Sequence, residues 1–268
     1  MSFLDLKDGG KLYYEVHGQG EPIIFLGGIM MNTLSWAGFV PVLSQRFKLI
    51  LVDFRDQGQS SKMKEQYDLD IHAEDLLSLL DELDIPKIHV MGLSYGGNVA
   101  LKFALSHQDR LKTLILPNTT NFISNHLAQI GKAWEVAADL NDGERFFQLA
   151  TPYIYSGTFY QSFLNVLLER QAMFKTMLTR EWFEAFIRLS RSTVDFYMSP
   201  EQLKTIKVPT LLIGAEDDII TPIRDVETLH QNVPGSEFVI IPRAGHGAFL
   251  EKMNEFLTIV IGFTVKNS

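Results

Sequence analysis

Short apolar runs alternate along the chain with segments in which apolar residues recur at helical spacing. Six runs have the length and composition of buried strands; they cover residues 22–26, 47–52, 87–91, 111–116, 208–213 and 238–241. Residues 70–83 carry apolar side chains on one helical face and acids on the other. Residues 4–6 and 12–16 predict an N-terminal hairpin. The alternation predicts an α/β fold with a mostly parallel central sheet and helices on both faces.

The alternation stops between about Asn118 and Pro200, where no run is typical of a buried strand. This segment contains 15 of the chain's 30 aromatic residues, in helix-like stretches that glycine and proline interrupt. The aromatics either pack the segment's own helices or line a cavity, and as a group they favour an apolar pocket. We therefore expect a core of residues 1–118 and 201–268, with a helical cap of residues 119–200 inserted after the sixth strand in the same folding unit.

The composition narrows the class of protein. A chain of 268 residues with 46% hydrophobic and 21% charged residues is large enough for one α/β domain with an insertion. The net charge of −8 argues against nucleic acid or an anionic membrane surface as a partner. No apolar run approaches the roughly 18 residues of a membrane helix, and the first residues contain no basic leader, so we expect a cytoplasmic protein. The absence of cysteine excludes disulfides, thiolate nucleophiles and Cys-ligated metals.

The strongest candidate for chemistry is the segment Gly-Leu-Ser-Tyr-Gly-Gly at residues 92–97. It follows a strand-like run and precedes a helix rich in small residues, which is typical of a nucleophile elbow. In such a turn Ser94 adopts a strained backbone conformation with its hydroxyl exposed, and the flanking glycines avoid collisions. The following helix directs N–H groups toward negative charge that develops beside the serine. The pattern Gly-x-Ser-x-Gly is common by chance, so its meaning depends on the rest of the chain.

Five further segments, together with the elbow, give the chain a nearly end-to-end resemblance to the α/β-hydrolase family. They resemble the oxyanion loop, the loop after the next strand, the lead into the sixth strand, the acid turn and the histidine turn; in order, these are residues 26–30, 53–60, 107–111, 214–222 and 244–247. The resemblance implies a catalytic Ser, Asp and His in that chain order. It also implies that Asp53, Arg55 and Gly58 have a structural role in bracing the floor of the active site.

Ser94 needs a base within hydrogen-bond reach, and histidine exchanges a proton near neutral pH. His246 lies between two glycines after the last predicted strand, so we expect it to be this base and the other six histidines to be structural. Two neighbouring carboxylates compete to orient it. The family's usual spacing selects Asp218 when it is measured back from Pro222. It selects Asp217 when it is measured forward from Gly214. We predict Asp218, because the run Asp-Ile-Ile-Thr-Pro matches the family's turn closely; residues 116–120 offer no carboxylate instead.

Two backbone N–H groups, those of Ile29 and Tyr95, are the predicted donors of the oxyanion hole. Tyr95 directly follows the nucleophile, and Ile29 lies in the Gly-Gly-Ile loop. The chain departs from the commoner family pattern at Gly27, where a histidine usually precedes the loop glycine. This difference removes a side chain that braces the loop but no donor, so it puts the rigidity of the loop in doubt.

The resemblance implies a serine hydrolase that cleaves small carboxylic esters through an acyl-enzyme at Ser94. The chain is similar to carboxylesterases, 3-oxoadipate enol-lactonases and cofactor-free haloperoxidase-like members. A lactonase is the alternative function, and its anionic substrate requires a cation that faces the pocket. The candidate cations are Arg145, Arg170, Lys175, Arg180, Arg188 and Arg191. A second alternative, of another class, is a ligand-sensing or signalling protein that retains the fold.

No other motif competes with this interpretation. The glycine-rich segments match neither a Walker loop nor a dinucleotide-binding fingerprint, and no His-Glu-x-x-His motif occurs. The sequence therefore implies no metal ion and no organic cofactor. The expected partner is a small apolar ester or lactone substrate, with no nucleic acid and no membrane, and the oligomeric state is left open.

Overall fold

The structure, a computed structural model of the chain, describes residues 2–268 and contains one eight-stranded sheet. The strands are β1 (Ser2–Asp5), β2 (Lys11–His17), β3 (Glu21–Leu26), β4 (Phe47–Val52), β5 (Ile88–Gly92), β6 (Leu111–Pro117), β7 (Thr210–Ala215) and β8 (Glu237–Ile241). Across the sheet their order is β1-β2-β4-β3-β5-β6-β7-β8. Strand β2 pairs antiparallel with β1 and β4, and all other neighbours are parallel.

Eleven α-helices lie within residues 2–268. They are α1 (Val40–Leu43), α2 (Asp70–Glu82), α3 (Tyr95–Ser106), α4 (Asn125–Asp139), α5 (Gly143–Ile154), α6 (Gly157–Met177), α7 (Arg180–Arg191), α8 (Pro200–Leu203), α9 (Ile223–Asn232), α10 (Ala248–Glu251) and α11 (Met253–Lys266). Short 3₁₀ helices occur at Thr33–Trp36 and Gln108–Arg110. None of the helices in this part of the chain is long and apolar enough to cross a membrane.

Both faces of the sheet are covered by helices. Side chains alternate between the faces, so that Ile24 and Leu26 of β3 lie in one apolar cluster and Ile23 and Phe25 lie in the other. Helices α2, α3 and α9 pack on the first cluster, and α1, α10 and α11 pack on the second. Strands that are buried on both faces read as continuous apolar runs, which is why the sequence pattern reveals them.

The predicted α/β fold class is confirmed. Each predicted strand is present within two residues of its expected limits, and the N-terminal hairpin extends one edge of the sheet. Starts differ by two residues at β1 and at β7, and β7 begins at Thr210 although the apolar run begins at Val208. Pro209 has no N–H to donate to a ladder, so pairing with β6 starts one residue later.

Between β6 and β7 the described chain forms helices α4 to α8 and no strand. Aromatic rings join α5 to α7: Phe146 lies edge-on to Trp182, Phe183 and Phe186 at centroid distances of 5.3, 5.6 and 5.1 Å. These rings therefore pack the insertion's own helices. The insertion is also tied to the core, because Arg188 of α7 forms two hydrogen bonds, of 3.0 and 2.7 Å, to the buried carboxylate of Asp56.

His72 of α2 is a structural histidine with an unusual environment. Its side chain is fully buried beside the rings of Phe54, Tyr67 and Tyr95, and neither ring nitrogen has a hydrogen-bond partner within residues 2–268. Burial lowers the pKa of His72 to about 3, from an ordinary value of 6.5. The folded protein therefore keeps His72 neutral where the unfolded chain protonates it.

We predict that His72 makes the protein acid-labile. Below pH 6.5 the unfolded chain binds a proton that the folded protein does not, so the free energy of unfolding falls as the pH is lowered toward 3. The limiting slope from this one group is about 1.4 kcal/mol per pH unit. Urea unfolding of wild type and His72→Leu, from neutral pH to about pH 5, measures the effect. The variant should show the shallower pH dependence, and parallel profiles would contradict this account.

Candidate active site

The candidate residues meet at the carboxyl ends of the parallel strands, where ligands of α/β sheets usually bind. Ser94 follows β5, Asp218 follows β7 and His246 follows β8. Ile29 follows β3, which lies beside β5 in the sheet. Because these strands are parallel neighbours in the sheet, residues far apart in the chain are brought together at the carboxyl ends of the strands.

The turn between β5 and α3 has the geometry of a nucleophile elbow. Ser94 has φ +52° and ψ −114°, a left-handed conformation that is unusual for a residue with a β-carbon. A β-carbon at Gly92 would lie 2.4 Å from the carbonyl oxygen of Gly96. A β-carbon at Gly96 would lie 2.5 Å from the carbonyl oxygen of Leu26. The two glycines are therefore required by the close approach of α3 to β5 and β3.

A continuous line of hydrogen bonds joins three of the predicted residues. The Ser94 hydroxyl lies 2.8 Å from Nε2 of His246. On the other side of the ring, Nδ1 of His246 lies 2.8 Å from Oδ2 of Asp218. With Nδ1 donating to the carboxylate, Nε2 is free to accept the proton of the serine hydroxyl.

The carboxylate of Asp218 is fully buried and is surrounded by donors. Oδ1 accepts the N–H groups of Ile220 and Thr221 at 2.8 and 3.0 Å, and Oδ2 accepts the Thr221 hydroxyl at 2.7 Å. Burial alone would raise the pKa of Asp218, but His246 and the hydrogen bonds from the side chains of Asn118 and Thr221 hold that pKa below its ordinary value. Asp217, in contrast, is exposed, and its side chain forms no hydrogen bond or ion pair with His246.

Sequence reasoning missed two residues that position Asp218. The side-chain amide of Asn118 donates to Oδ2 at 2.8 Å, and Asn118 itself has φ +46° at the end of β6. Thr221 contributes both its backbone N–H and its hydroxyl. The available signal for Asn118 is its position directly after a buried strand that neighbours β7.

A third missed residue is Glu251 of α10, which holds the histidine turn. Its carboxylate accepts the N–H of Gly245 at 3.1 Å and the N–H of Ser156 at 3.0 Å. Ser156 lies between α5 and α6, so one partly buried acid joins the helical insertion to the residue before His246. This contact is invisible in sequence because the partners are 95 residues apart.

The N–H groups of Ile29 and Tyr95 have no hydrogen-bond acceptor within residues 2–268, and both residues line the same cavity as Ser94. Gln57 orients the first of them, because its side-chain amide donates to the carbonyl oxygens of Gly28 and Ile29 at 2.8 and 3.1 Å. The Gly28 carbonyl and the Ile29 N–H belong to one trans peptide and point in opposite directions. Gln57 therefore supplies the bracing that Gly27 cannot.

One cavity of about 810 Å³ contains Ser94 and His246. Its walls are mainly apolar and come from the loop after β3, from the helical insertion and from α10 and the start of α11. The principal apolar lining residues are Met30, Met31, Ile123, Leu127, Trp134, Phe147, Ile154, Met173, Phe174 and Met177. Several aromatics of the insertion thus face the cavity, whereas others pack against each other. The aromatic residues of the insertion therefore serve both purposes considered from the sequence: some pack its own helices, and others line the cavity.

Five of the six cations considered in the insertion have acidic partners. The pairs are Arg145–Asp142, Lys175–Glu144, Arg180–Glu184, Arg188–Asp56 and Arg191–Glu135. Arg170 forms no ion pair with any residue from 2 to 268, and it lines the cavity. No group of three or more His, Asp or Glu side chains in the same range could hold a metal ion.

The sequence profile of the alpha/beta hydrolase fold family matches residues 21–253. The chain belongs to this family. It is similar to MGS-M2, an alpha/beta hydrolase enzyme from a Medee basin deep-sea metagenome library, with a TM-score of 0.95 and 33% identity over 98% of this chain and 97% of that one.

Two further similarities concern proteins with named activities. A pimeloyl-[acyl-carrier protein] methyl ester esterase of Aeromonas hydrophila subsp. hydrophila is 29% identical over 93% of this chain and 97% of its own. The enol-lactonase of Burkholderia xenovorans LB400 shares the fold at 24% identity, with a TM-score of 0.85 over 98% of this chain and 100% of that one. The family and the esterase relative support a hydrolase function.

Proposed function

We propose that the protein is a serine hydrolase that cleaves small carboxylic esters through an acyl-enzyme at Ser94. The observation that carries this proposal is the line of hydrogen bonds from Ser94 through His246 to the buried Asp218. Serine is a weak nucleophile by itself, and a base at hydrogen-bond distance from its hydroxyl corrects this. The esterase relative adds support for the same type of reaction.

In the acylation step, Oγ of Ser94 attacks the ester carbonyl carbon while Nε2 of His246 takes the hydroxyl proton. The carbonyl oxygen becomes an anion, and the N–H groups of Ile29 and Tyr95 donate to it. Asp218 stabilises the positive charge that forms on His246. The imidazolium then returns its proton to the leaving alcohol, the bond between carbonyl carbon and alcohol oxygen breaks, and the acyl group stays on Ser94.

In the deacylation step, a water molecule attacks the acyl carbon and gives a proton to Nε2 of His246. The same two N–H groups stabilise the second oxyanion. The bond to Ser94 then breaks, the serine oxygen takes the proton back, and the carboxylic acid leaves. No step needs a metal ion or an organic cofactor.

The cavity supports a substrate with an apolar body. In this proposal residues 119–200 act as a cap that roofs the cavity, since α4, α5 and α6 contribute much of its apolar wall. Burial between such walls favours esters with short or medium hydrocarbon chains, because apolar area is removed from water on binding. The cytoplasmic location expected from the sequence stays a prediction.

A lactonase is the second candidate, and Arg170 is the specific observation that favours it. A cation without an acidic partner in the cavity is what an anionic lactone requires. The structural similarity to an enol-lactonase concerns the fold alone at 24% identity. A lactone has the same acyl carbon chemistry, except that its leaving alcohol remains attached to the acyl chain.

The test is turnover of p-nitrophenyl acetate, butyrate, hexanoate and decanoate beside 3-oxoadipate enol-lactone. Release of nitrophenolate at a rate that peaks at one acyl length supports the esterase and measures the depth of its pocket. A kcat/KM for the lactone well above every ester supports the lactonase. Stoichiometric binding of these compounds without turnover would overturn both and favour the ligand-sensing protein.

A further inference from the structure

Arg170 projects from one stripe of α6 into the cavity that contains Ser94. The stripe consists of Arg170, Met173, Phe174 and Met177, which recur at helical spacing and all line this cavity. Three of the four are apolar. The guanidinium is thus the one polar group of this stripe, and its Nη1 donates to the hydroxyl of Tyr155 at 3.2 Å.

A partly buried guanidinium usually has an acidic partner, because it loses hydration without one. The other charged residues that line this cavity are either paired with an opposite charge or exposed to solvent. Arg191 and Glu135 pair with each other at 3.0 Å, and Lys132 is exposed to solvent. Arg170 alone is partly buried and has only a neutral hydroxyl as partner within the described chain. Its remaining N–H donors are available to a ligand.

The Arg170–Tyr155 pair lies on the His246 side of the cavity. The ring of Tyr155 packs against Gly247, where a β-carbon would lie 2.9 Å from two ring atoms. Burial raises the pKa of Tyr155, so the phenol stays protonated at neutral pH. While its oxygen accepts from Arg170, its O–H is able to donate to a ligand in the cavity.

We propose that Arg170 and Tyr155 form a carboxylate-binding subsite, and that the enzyme acts on esters or lactones that carry a carboxylate remote from the scissile bond. This inference rests on the proposed hydrolase function and names its substrate class. The planar guanidinium offers two parallel N–H donors that match a carboxylate, and the tyrosine hydroxyl adds a third. The mainly apolar lining of the cavity accommodates the hydrocarbon chain that separates the two ends of the substrate.

The test compares matched substrates that differ only in charge. Mono-p-nitrophenyl esters of succinate, glutarate, adipate and suberate carry a free carboxylate, and their methyl-capped diesters do not. In wild type, kcat/KM should favour the free acid at one chain length. Arg170→Met should reduce this preference by about 10- to 100-fold, the effect of losing charge-assisted hydrogen bonds. Arg170→Lys should retain part of it.

Arg180→Met is the matched control, because it removes the same type of side chain from the insertion at a position that is 83% exposed and outside the cavity. It should leave the preference as in wild type. A wild-type enzyme that never favours the free acid would overturn the subsite. So would an Arg170→Met variant with an unaltered preference at every chain length.

A binding measurement separates this inference from the proposed function. The Ser94→Ala protein is titrated calorimetrically with the monomethyl ester of the best dicarboxylate, with and without the Arg170→Met change. Binding that weakens by about 10-fold or more on loss of Arg170 supports the subsite even if no substrate is turned over. Equal binding to the two proteins, or no binding to either, overturns it even if neutral esters are hydrolysed.

Discussion

Replacement of Ser94 by alanine is expected to lower kcat for p-nitrophenyl esters by a factor on the order of 10⁶. Among residues 2–268 the hydroxyl is the only group at hydrogen-bond distance from Nε2 of His246, so the variant retains the base but has nothing for it to activate. The proposed oxyanion donors, the N–H groups of Ile29 and Tyr95, stay in place and should leave a residual rate above that in water. Serine and alanine each have a β-carbon, so the unusual φ of +52° at position 94 costs about the same with either residue. The fold of the variant should therefore persist.

Ser190→Ala is the control for this prediction. Ser190 also lines the cavity, but its hydroxyl donates to Glu135 at 3.0 Å and does not contact His246. Steady-state kinetics on both variants, with circular dichroism to check folding, measure the difference. Ser190→Ala should keep most of the activity. A Ser94→Ala enzyme with more than about a tenth of the wild-type rate would rule out Ser94 as the nucleophile.

Asp218→Asn is expected to lower kcat by about 10⁴-fold, whereas Asp217→Asn should have little effect. The groups around the Asp218 carboxylate are all donors: two backbone N–H groups, the Thr221 hydroxyl and the amide of Asn118. An asparagine would turn an NH₂ group toward at least one of them. It would also cease to hold Nδ1–H of His246, so the ring would favour the wrong tautomer.

The neighbouring pair makes this comparison unusually well controlled, because the same chemical change is made at adjacent positions. Asp217 is exposed, and its one hydrogen bond within residues 2–268 runs from its backbone N–H to the carbonyl of Ala244. Both variants are assayed at neutral pH, where wild-type Asp218 is ionised because its pKa is lowered. An Asp217→Asn enzyme that is as impaired as Asp218→Asn, or more, would show that the acid has been misassigned.

The strands could be predicted from the sequence because a sheet buried on both faces requires continuous apolar runs. The limits at β7 could be refined only by considering that Pro209 lacks an N–H. The choice between Asp218 and Asp217 could not be made by counting, because the number of residues between a strand end and a turn varies. What distinguishes the two is burial against the Thr221 and Asn118 donors, which is a tertiary property.

Residues that act through contacts distant in sequence could not be predicted either, because those contacts exist only in the folded structure. Gln57 supports the loop of Gly28 and Ile29 from 29 residues away along the chain, and Asn118 reaches Asp218 across 100 residues. The sequence alone does not distinguish which of the six candidate cations of the insertion faces the cavity. The tertiary structure shows that Arg170 lines the cavity without an acidic partner among residues 2–268, whereas the other five cations pair with acids.

The most direct test of the central claim is covalent labelling with a p-nitrophenyl alkylphosphonate, whose phosphorus is attacked as an ester carbonyl would be. Intact-mass spectrometry of the wild-type protein should show one adduct, and peptide mapping should place it on Ser94. The Ser94→Ala protein should stay unlabelled, and Asp218→Asn should label far more slowly than Asp217→Asn. An adduct on any other residue, or ester turnover that continues without an adduct, would contradict the account.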